Sequence, residues 1–168
     1  KVVQMFDDMM KSIDIENERE IEEYLVKLLD GEAFDRSGLI YGMGHAVYSL
    51  SDPRADILMK CAKDLSVEKG FEREYALYEN VARLAPQIIS EKRKIYKGVS
   101  ANVDFYSGLV YRMLELPYEL FTPIFAVSRI AGWSAHRIEE IQNAGKIIRP
   151  AYINVKPKRQ YIELDKRK

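Results

Sequence analysis

Cysteine is almost absent. Cys61 is the only one in 168 residues, so no disulfide can form within the chain and no cysteine cluster can hold a metal. That usage fits a reducing compartment, and the cytoplasm is the expected location. Cys61 falls within an apolar helical pattern and is expected to be a buried structural thiol. Net charge is also absent: Lys+Arg and Asp+Glu stand at 26 each, so no nucleic acid or other polyanionic partner is expected. No apolar run reaches the roughly 18–20 residues of a transmembrane helix. No signal-peptide pattern opens the chain, and no membrane partner is expected. The sequence lacks an initiator methionine and starts in mid-pattern at Lys1-Val2-Val3, which reads as a start inside a longer protein.

What is present is ordinary for a globular protein: 47% hydrophobic and 31% charged residues, in a chain long enough for one compact core. Apolar residues recur at helical spacing. Val2, Val3, Phe6, Met9, Met10 and Ile13 predict a helix over 2–13, and Ile21, Tyr24, Leu25, Leu28 and Leu29 another over 17–30. Asn17 with Glu20 has the pattern of a capping box, and Gly31 is the stop. Residues 35–51 have no helical period. Asp52-Pro53 then starts a helix, with Asp as N-cap and Pro in the first turn. Leu58, Cys61, Ala62 and Leu65 are its expected buried side and Gly70 its end. A long pattern over 71–96 contains Pro86, which is expected to kink it or split it in two. Asn102 or Asp104 caps a helix over 104–115, and a longer helix fills 118–143. Residues 147–168 read as extended, with Pro150, Pro157 and a basic end. The fold class is mainly α, with roughly seven helices and almost no strand.

The chemistry-bearing residues collect around the interruption at Gly42-Met43-Gly44-His45. Two glycines let the backbone take positive φ and approach a ligand closely. His45, one of two histidines, is a structural ring or a proton-handling group. Asp104 is a helix cap, or a carboxylate base whose pKa is raised by the rings of Phe105 and Tyr106. Arg54, Arg129 and Arg149 form internal salt bridges or hold the carboxylates of a small di- or tricarboxylate. Arg129 lies in the most apolar helix, where a buried guanidinium needs an anion. His136, among Arg137, Glu139 and Glu140, reads as a structural or surface residue.

Taken together, these segments resemble a known family. Gly42-Met43-Gly44-His45-Ala46-Val47-Tyr48 followed by Asp52-Pro53-Arg54 is similar to the Gly-x-Gly-His-x-Val…Asp-Pro-Arg signature of citrate synthases. Asn102-Val103-Asp104-Phe105-Tyr106-Ser107-Gly108 resembles that family's second catalytic segment. Phe125-Ala126-Val127-Ser128-Arg129 and Ile148-Arg149-Pro150 resemble its two arginine segments, in the same order. The resemblance implies a multi-helical small, CoA-binding domain over 1–116, followed over 117–168 by a C-terminal helix and extended tail of the large domain. It implies condensation of acetyl-CoA with oxaloacetate and water to citrate and CoA, with no cofactor besides these substrates and no metal. His45 would polarise the oxaloacetate carbonyl, and Asp104 would take a proton from the acetyl methyl. Arg54, Arg129 and Arg149 would hold carboxylates, the last reaching into a partner subunit's site in a homodimer. The backbone of Leu39, Ile40, Gly42, Met43, Gly44 and Ala46 would line the adenine of CoA. Asn102 would lie along the pantetheine arm, and Lys97 near the CoA phosphates. Ser49 stands where many family members carry an arginine for a CoA phosphate. The family's other catalytic histidine lies in a segment upstream of the first helix, so this chain is expected to be inactive alone. The large-domain side of 117–143 is then expected to expose apolar surface. A close alternative is 2-methylcitrate synthase, which uses propionyl-CoA. A more distant one is a non-catalytic helical interaction domain.

Overall fold

The computed structural model describes residues 1–48, 50–94 and 98–143, together with Glu163 and Lys166. Helices carry it: α1 (Val2–Ser12), α2 (Glu18–Asp30), α3 (Pro53–Lys69), α4 (Glu72–Arg93), α5 (Val103–Met113) and α6 (Phe121–Gln142), with a 3-10 turn at Tyr118–Leu120. The one extended pairing among the described residues is a bridge between Met43 and Ala101. The chain divides into two compact units, Lys1–Phe125 and Ala126–Lys168.

In the first unit the helices form where periodicity and end signals agree. The predicted apolar stripe of α2 is buried in full: Ile21, Tyr24, Leu25, Leu28 and Leu29. Each such aliphatic side chain contributes about 1.5–3 kcal/mol. Asn17 caps the helix by accepting a hydrogen bond from the Arg19 amide, and Gly31 ends it in the left-handed region. Glu20 departs from a strict capping box. Its carboxylate accepts from the Asp14 amide and from the Asn17 side-chain amide. Asp52 caps α3 and Pro53 opens it, with Gly70 as its left-handed terminus.

Helices α3 and α5 pack together, as do α2 with α4, α3 with α4 and α1 with α5. At the centre, Phe6 of α1 stacks on Tyr78 of α4 with ring centroids 3.5 Å apart. Phe105 of α5 meets both rings edge-on at 5.5 Å. Burial pushes the Tyr78 hydroxyl well above the ordinary tyrosine range. Where α1 crosses α5, Gly108 offers only a hydrogen to Val3, and an added Cβ would collide with that valine.

Two expectations fail here for identifiable reasons. Cys61 is exposed, not buried. The face of α3 that enters the core is a stripe of small residues, Ala55, Ala62 and Ser66, with Leu58 and Leu65 only half-buried. A small-residue stripe lets neighbouring backbones approach closely. Cys61 lies about 100° around the helix from Ala62 and so faces outward. Pro86 does not split α4, which runs unbroken from Glu72 to Arg93. Its missing N–H costs one ladder bond, but Val81, Leu84, Ala85 and Ile89 are buried on both sides of it and hold the segment helical.

The connection from α2 to α3 is tied down by polar contacts. Asp35 accepts from the Tyr41 hydroxyl at 2.7 Å and from the Lys1 ammonium at 3.1 Å. The Arg93 guanidinium donates to the carbonyls of Gly38 and Leu29 at 2.7 and 3.3 Å.

In the second unit every described residue is exposed. The part of α6 that lies in it presents Val127, Ile130, Trp133, Ile138 and Ile141 to solvent, within an arc of roughly 140°. Apolar exposure along this helix was expected. Burial of Arg129 was not met: α6 has no buried residue. His136 is exposed beside Glu139. The predicted extended segment at 147–168 lies outside the described residues apart from Glu163 and Lys166.

Candidate active site

The loop before α3 and the start of α5 are joined by backbone bonds. The Gly44 amide donates to the Ser100 carbonyl at 2.7 Å, and the Asn102 amide to the Gly42 carbonyl at 2.8 Å. The Asn102 side chain adds two more. Its amide nitrogen donates to the Gly44 carbonyl at 2.9 Å, and its oxygen accepts from the Asp104 amide at 3.0 Å. Asn102, not Asp104, is therefore the cap of α5. The Asp104 carboxylate is left exposed on the first turn.

The glycines have a local explanation. Gly42 has φ +84°, and a Cβ there would sit 2.8 Å from Phe105 Cδ2 and 3.0 Å from Phe105 Cα. Only glycine allows both the left-handed backbone and this approach to α5. The side chain of Ile40 is buried in the core, whereas Leu39 is exposed. Ala46 is exposed and Met43 half-buried.

His45 projects from this junction with both ring nitrogens engaged. Its Nδ1 accepts from the amides of Val47 at 3.0 Å and Tyr48 at 3.1 Å. A neutral imidazole accepting at Nδ1 carries its hydrogen on Nε2. That Nε2 lies 3.2 Å from Arg54 Nη2, and the imidazole tautomer decides which of the two donates there. Arg54 is held there by Asp52, which receives Nε at 3.0 Å and Nη2 at 2.8 Å in a two-point clamp. The same carboxylate accepts the Arg54 backbone amide at 3.0 Å while capping α3. The Arg54 guanidinium lowers the pKa of the enclosed Asp52 to about 2, against the opposing effect of desolvation. Asp52 in turn raises that of Arg54. Tyr48 closes the group, its ring 4.9 Å from His45 and 6.0 Å from the guanidinium carbon of Arg54.

The charge of Asp104 acts on Arg54 from the start of α5. Asp104 is linked to the His45 loop through Asn102, which caps α5 and donates to the Gly44 carbonyl. The rings of Phe105 and Tyr106 do not surround Asp104. Both are buried in the core, one and two residues further round the helix. Asp104 instead borders a cavity of about 440 Å³ together with Tyr41, Tyr111, Tyr118, Phe121 and Phe125. Arg129 lies in the second unit, exposed, with Nη1 donating to Ser128 Oγ at 2.8 Å. Lys97, Arg149 and Ser49 lie outside the described residues. Sequence reasoning took Asp52 only as a cap and passed over its clamp on Arg54. The signal was there, as an acid two residues before an arginine at a helix start.

Chemically, the His45–Arg54 pair sets an imidazole beside a positively charged guanidinium. It suits an oxygen-rich anion, such as a carbonyl beside a carboxylate.

Residues 1–151 match the family model for the citrate synthase C-terminal domain. A citrate synthase from Synechocystis sp. is 42% identical over 116 residues, covering 69% of this chain and 28% of that protein. A 2-methylcitrate synthase from Corynebacterium glutamicum is 32% identical over 136 residues, covering 80% of this chain and 33% of that protein. A solved structure of the Thermoplasma acidophilum citrate synthase, in ternary complex with carboxymethyl coenzyme A and oxaloacetate, aligns with a TM-score of 0.65 and 27% identity. It covers 99% of this chain and 42% of its own. The chain thus spans 28% and 33% of the two curated relatives' lengths.

Proposed function

Because this chain belongs to the citrate synthase family, we propose that it supplies the CoA- and oxaloacetate-binding side of an enzyme that condenses acetyl-CoA with oxaloacetate and water to citrate and CoA. The observation that carries the reading is His45 Nε2 3.2 Å from an Arg54 that Asp52 clamps, in the loop that Asn102 ties to the start of α5 bearing Asp104.

In this reading the neutral His45 donates its Nε2–H to the ketone oxygen of oxaloacetate, and Arg54 holds an adjacent carboxylate. Asp104 removes a proton from the methyl carbon of the thioester. The resulting enolate carbon attacks the polarised ketone, a carbon–carbon bond forms, and the developing alkoxide oxygen is met by the His45 donor. Water then cleaves the citryl thioester, releasing CoA.

Arg129 and Arg149 are assigned to the remaining carboxylates, with Arg149 supplied to a partner's site in a homodimer. The backbone of Leu39, Ile40, Gly42, Met43, Gly44 and Ala46 takes the adenine, and Lys97 the phosphates. Asn102 serves the pantetheine arm by keeping this backbone joined to α5. Among the described residues no helix is long and apolar enough to cross a membrane, and we place the protein in the cytoplasm. The similarity to a 2-methylcitrate synthase favours propionyl-CoA as a second reading, which relative rates with the two thioesters decide.

The test is Asp104→Asn in a full-length enzyme carrying this sequence. Condensation is expected to fall by at least about 10²–10⁴-fold, with oxaloacetate affinity nearly unchanged. Wild-type turnover in that variant contradicts the assignment.

A further inference from the structure

The segment that carries Leu39, Ile40 and Gly42 follows a path that needs outside support. Phe34 and Arg36 take φ of +53° and +56°, left-handed values that a residue with a side chain keeps only where its surroundings over-determine them. The support is polar. Arg93 stands at the end of α4, and its Nη2 donates to the Gly38 carbonyl at 2.7 Å and to the Leu29 carbonyl at 3.3 Å. Asp35 accepts from the Tyr41 hydroxyl at 2.7 Å and from the Ser37 amide at 3.2 Å, so residues 35–41 close into a ring. Within that ring the Ile40 side chain is buried, whereas Leu39 is exposed. The backbone of Leu39 is therefore fixed from both sides, at Gly38 by Arg93 and at Ile40 by the core. Lys92, one residue before Arg93, pairs instead with Asp30 of α2 at 2.8 Å.

We propose that Arg93 is a positioning residue for the nucleotide end of CoA, with the Asp35–Tyr41 bond as its partner. The inference rests on the reading that the backbone beginning at Leu39 takes the adenine, and extends it to what holds that backbone in place. A base recognised by backbone groups binds well only if those groups are fixed before it arrives, because ordering left to the binding step is subtracted from affinity. This loop has no helical or strand ladder to fix it, so side chains from neighbouring elements take that role. Arg93 suits the task. Its charge strengthens both bonds to carbonyls, and it ties the loop to a helix of 22 residues. The reacting end is held by separate contacts, Asp52 on Arg54 and Asn102 at the start of α5. Loss of the Arg93 pin therefore loosens the adenine end and leaves the oxaloacetate end in place.

The experiment uses a full-length enzyme carrying this sequence and reads three constants. They are KM for acetyl-CoA, KM for oxaloacetate, and the inhibition constant of adenosine 3′,5′-bisphosphate, the nucleotide half of CoA, against acetyl-CoA. Arg93→Ala is expected to raise the first and third together by about tenfold, the worth of one charge-assisted hydrogen bond, with KM for oxaloacetate unchanged. Tyr41→Phe removes only the hydroxyl and is expected to raise the same two by about fivefold, the worth of a neutral bond. Lys92→Ala is the charge control and leaves all three at wild-type values. Thermal unfolding shows which variants are folded, and either of the first two suffices. In a folded variant, unchanged constants, or an equal rise in KM for oxaloacetate, overturn the positioning role alone. So does a rise in Lys92→Ala that matches the one in Arg93→Ala, which would make the effect one of charge. A wild type that condenses acetyl-CoA but is not inhibited by the bisphosphate overturns the adenine assignment and the inference with it. A wild type without condensation activity overturns the condensation reading and the inference together.

Discussion

Gly42→Ala is the substitution whose effect the structure prices most fully. Two separate costs meet there. The backbone at φ +84° is left-handed, which costs an L-residue roughly 1–2 kcal/mol. The new methyl would also stand 2.8 Å from Phe105 Cδ2, 3.0 Å from Phe105 Cα and 3.1 Å from Phe105 Cβ. A side-chain atom can move aside, but the Cα belongs to α5 and cannot shift without disturbing the Asn102 cap. Overpacking of this kind costs about 1–3 kcal/mol. The sum, about 2–5 kcal/mol, is a large share of the 5–15 kcal/mol of a typical domain. Gly44→Ala is the internal control. Its φ is +89°, but its added Cβ meets nothing within 4 Å, so it carries the backbone cost alone. Urea unfolding of both variants, compared at equal denaturant slope, should find Gly42→Ala less stable than Gly44→Ala by about 1–3 kcal/mol. Equal losses would refute the claim that Gly42 exists to bring the His45 loop against α5.

Asp52 predicts an acid limit. Its pKa is lowered to about 2 in the folded chain from about 3.9 when unfolded. Its contribution is therefore complete above pH ~4 and is lost as pH falls through about 2. Asp52→Asn should flatten that part of the stability profile, measured by circular dichroism across acid pH, and an unchanged profile counts against the clamp. Exposed Cys61 should react with an aromatic disulfide reagent in the native chain nearly as fast as in the unfolded one. Protection until unfolding would restore the buried-thiol reading.

The parts of the fold legible from sequence are those where local and tertiary preferences agree. In α2 the apolar period, the Asn17 cap and the Gly31 stop all indicate one helix, and its buried stripe follows. Helix α3 misled because its contact face is made of Ala55, Ala62 and Ser66. Those residues carry little hydrophobic signal, whereas Leu58 and Leu65, which carry more, pack against the core only half-buried, and Cys61 faces outward. Of the two outcomes expected at Pro86, a split is overturned, since packing along α4 outweighs one missing bond. At the site, local chemistry proposed His45, Asp104 and Arg54 without joining them. Resemblance to a family of ordered motifs did the joining. Periodicity alone could not show that Asn102 carries the cap and leaves the Asp104 carboxylate exposed. The His45 tautomer was out of reach too, because the amides that determine it belong to a loop with no repeating pattern.

That tautomer is the most direct test of the central claim. The chain has two histidines, so His136→Asn leaves His45 as the only imidazole for ¹⁵N labelling. At neutral pH the nitrogen spectrum should show an unprotonated Nδ1 and a protonated Nε2. Added oxaloacetate should move the Nε2–H resonance, and Arg54→Ala should abolish that response. A proton on Nδ1, or an Nε2–H indifferent to saturating oxaloacetate, would contradict the account.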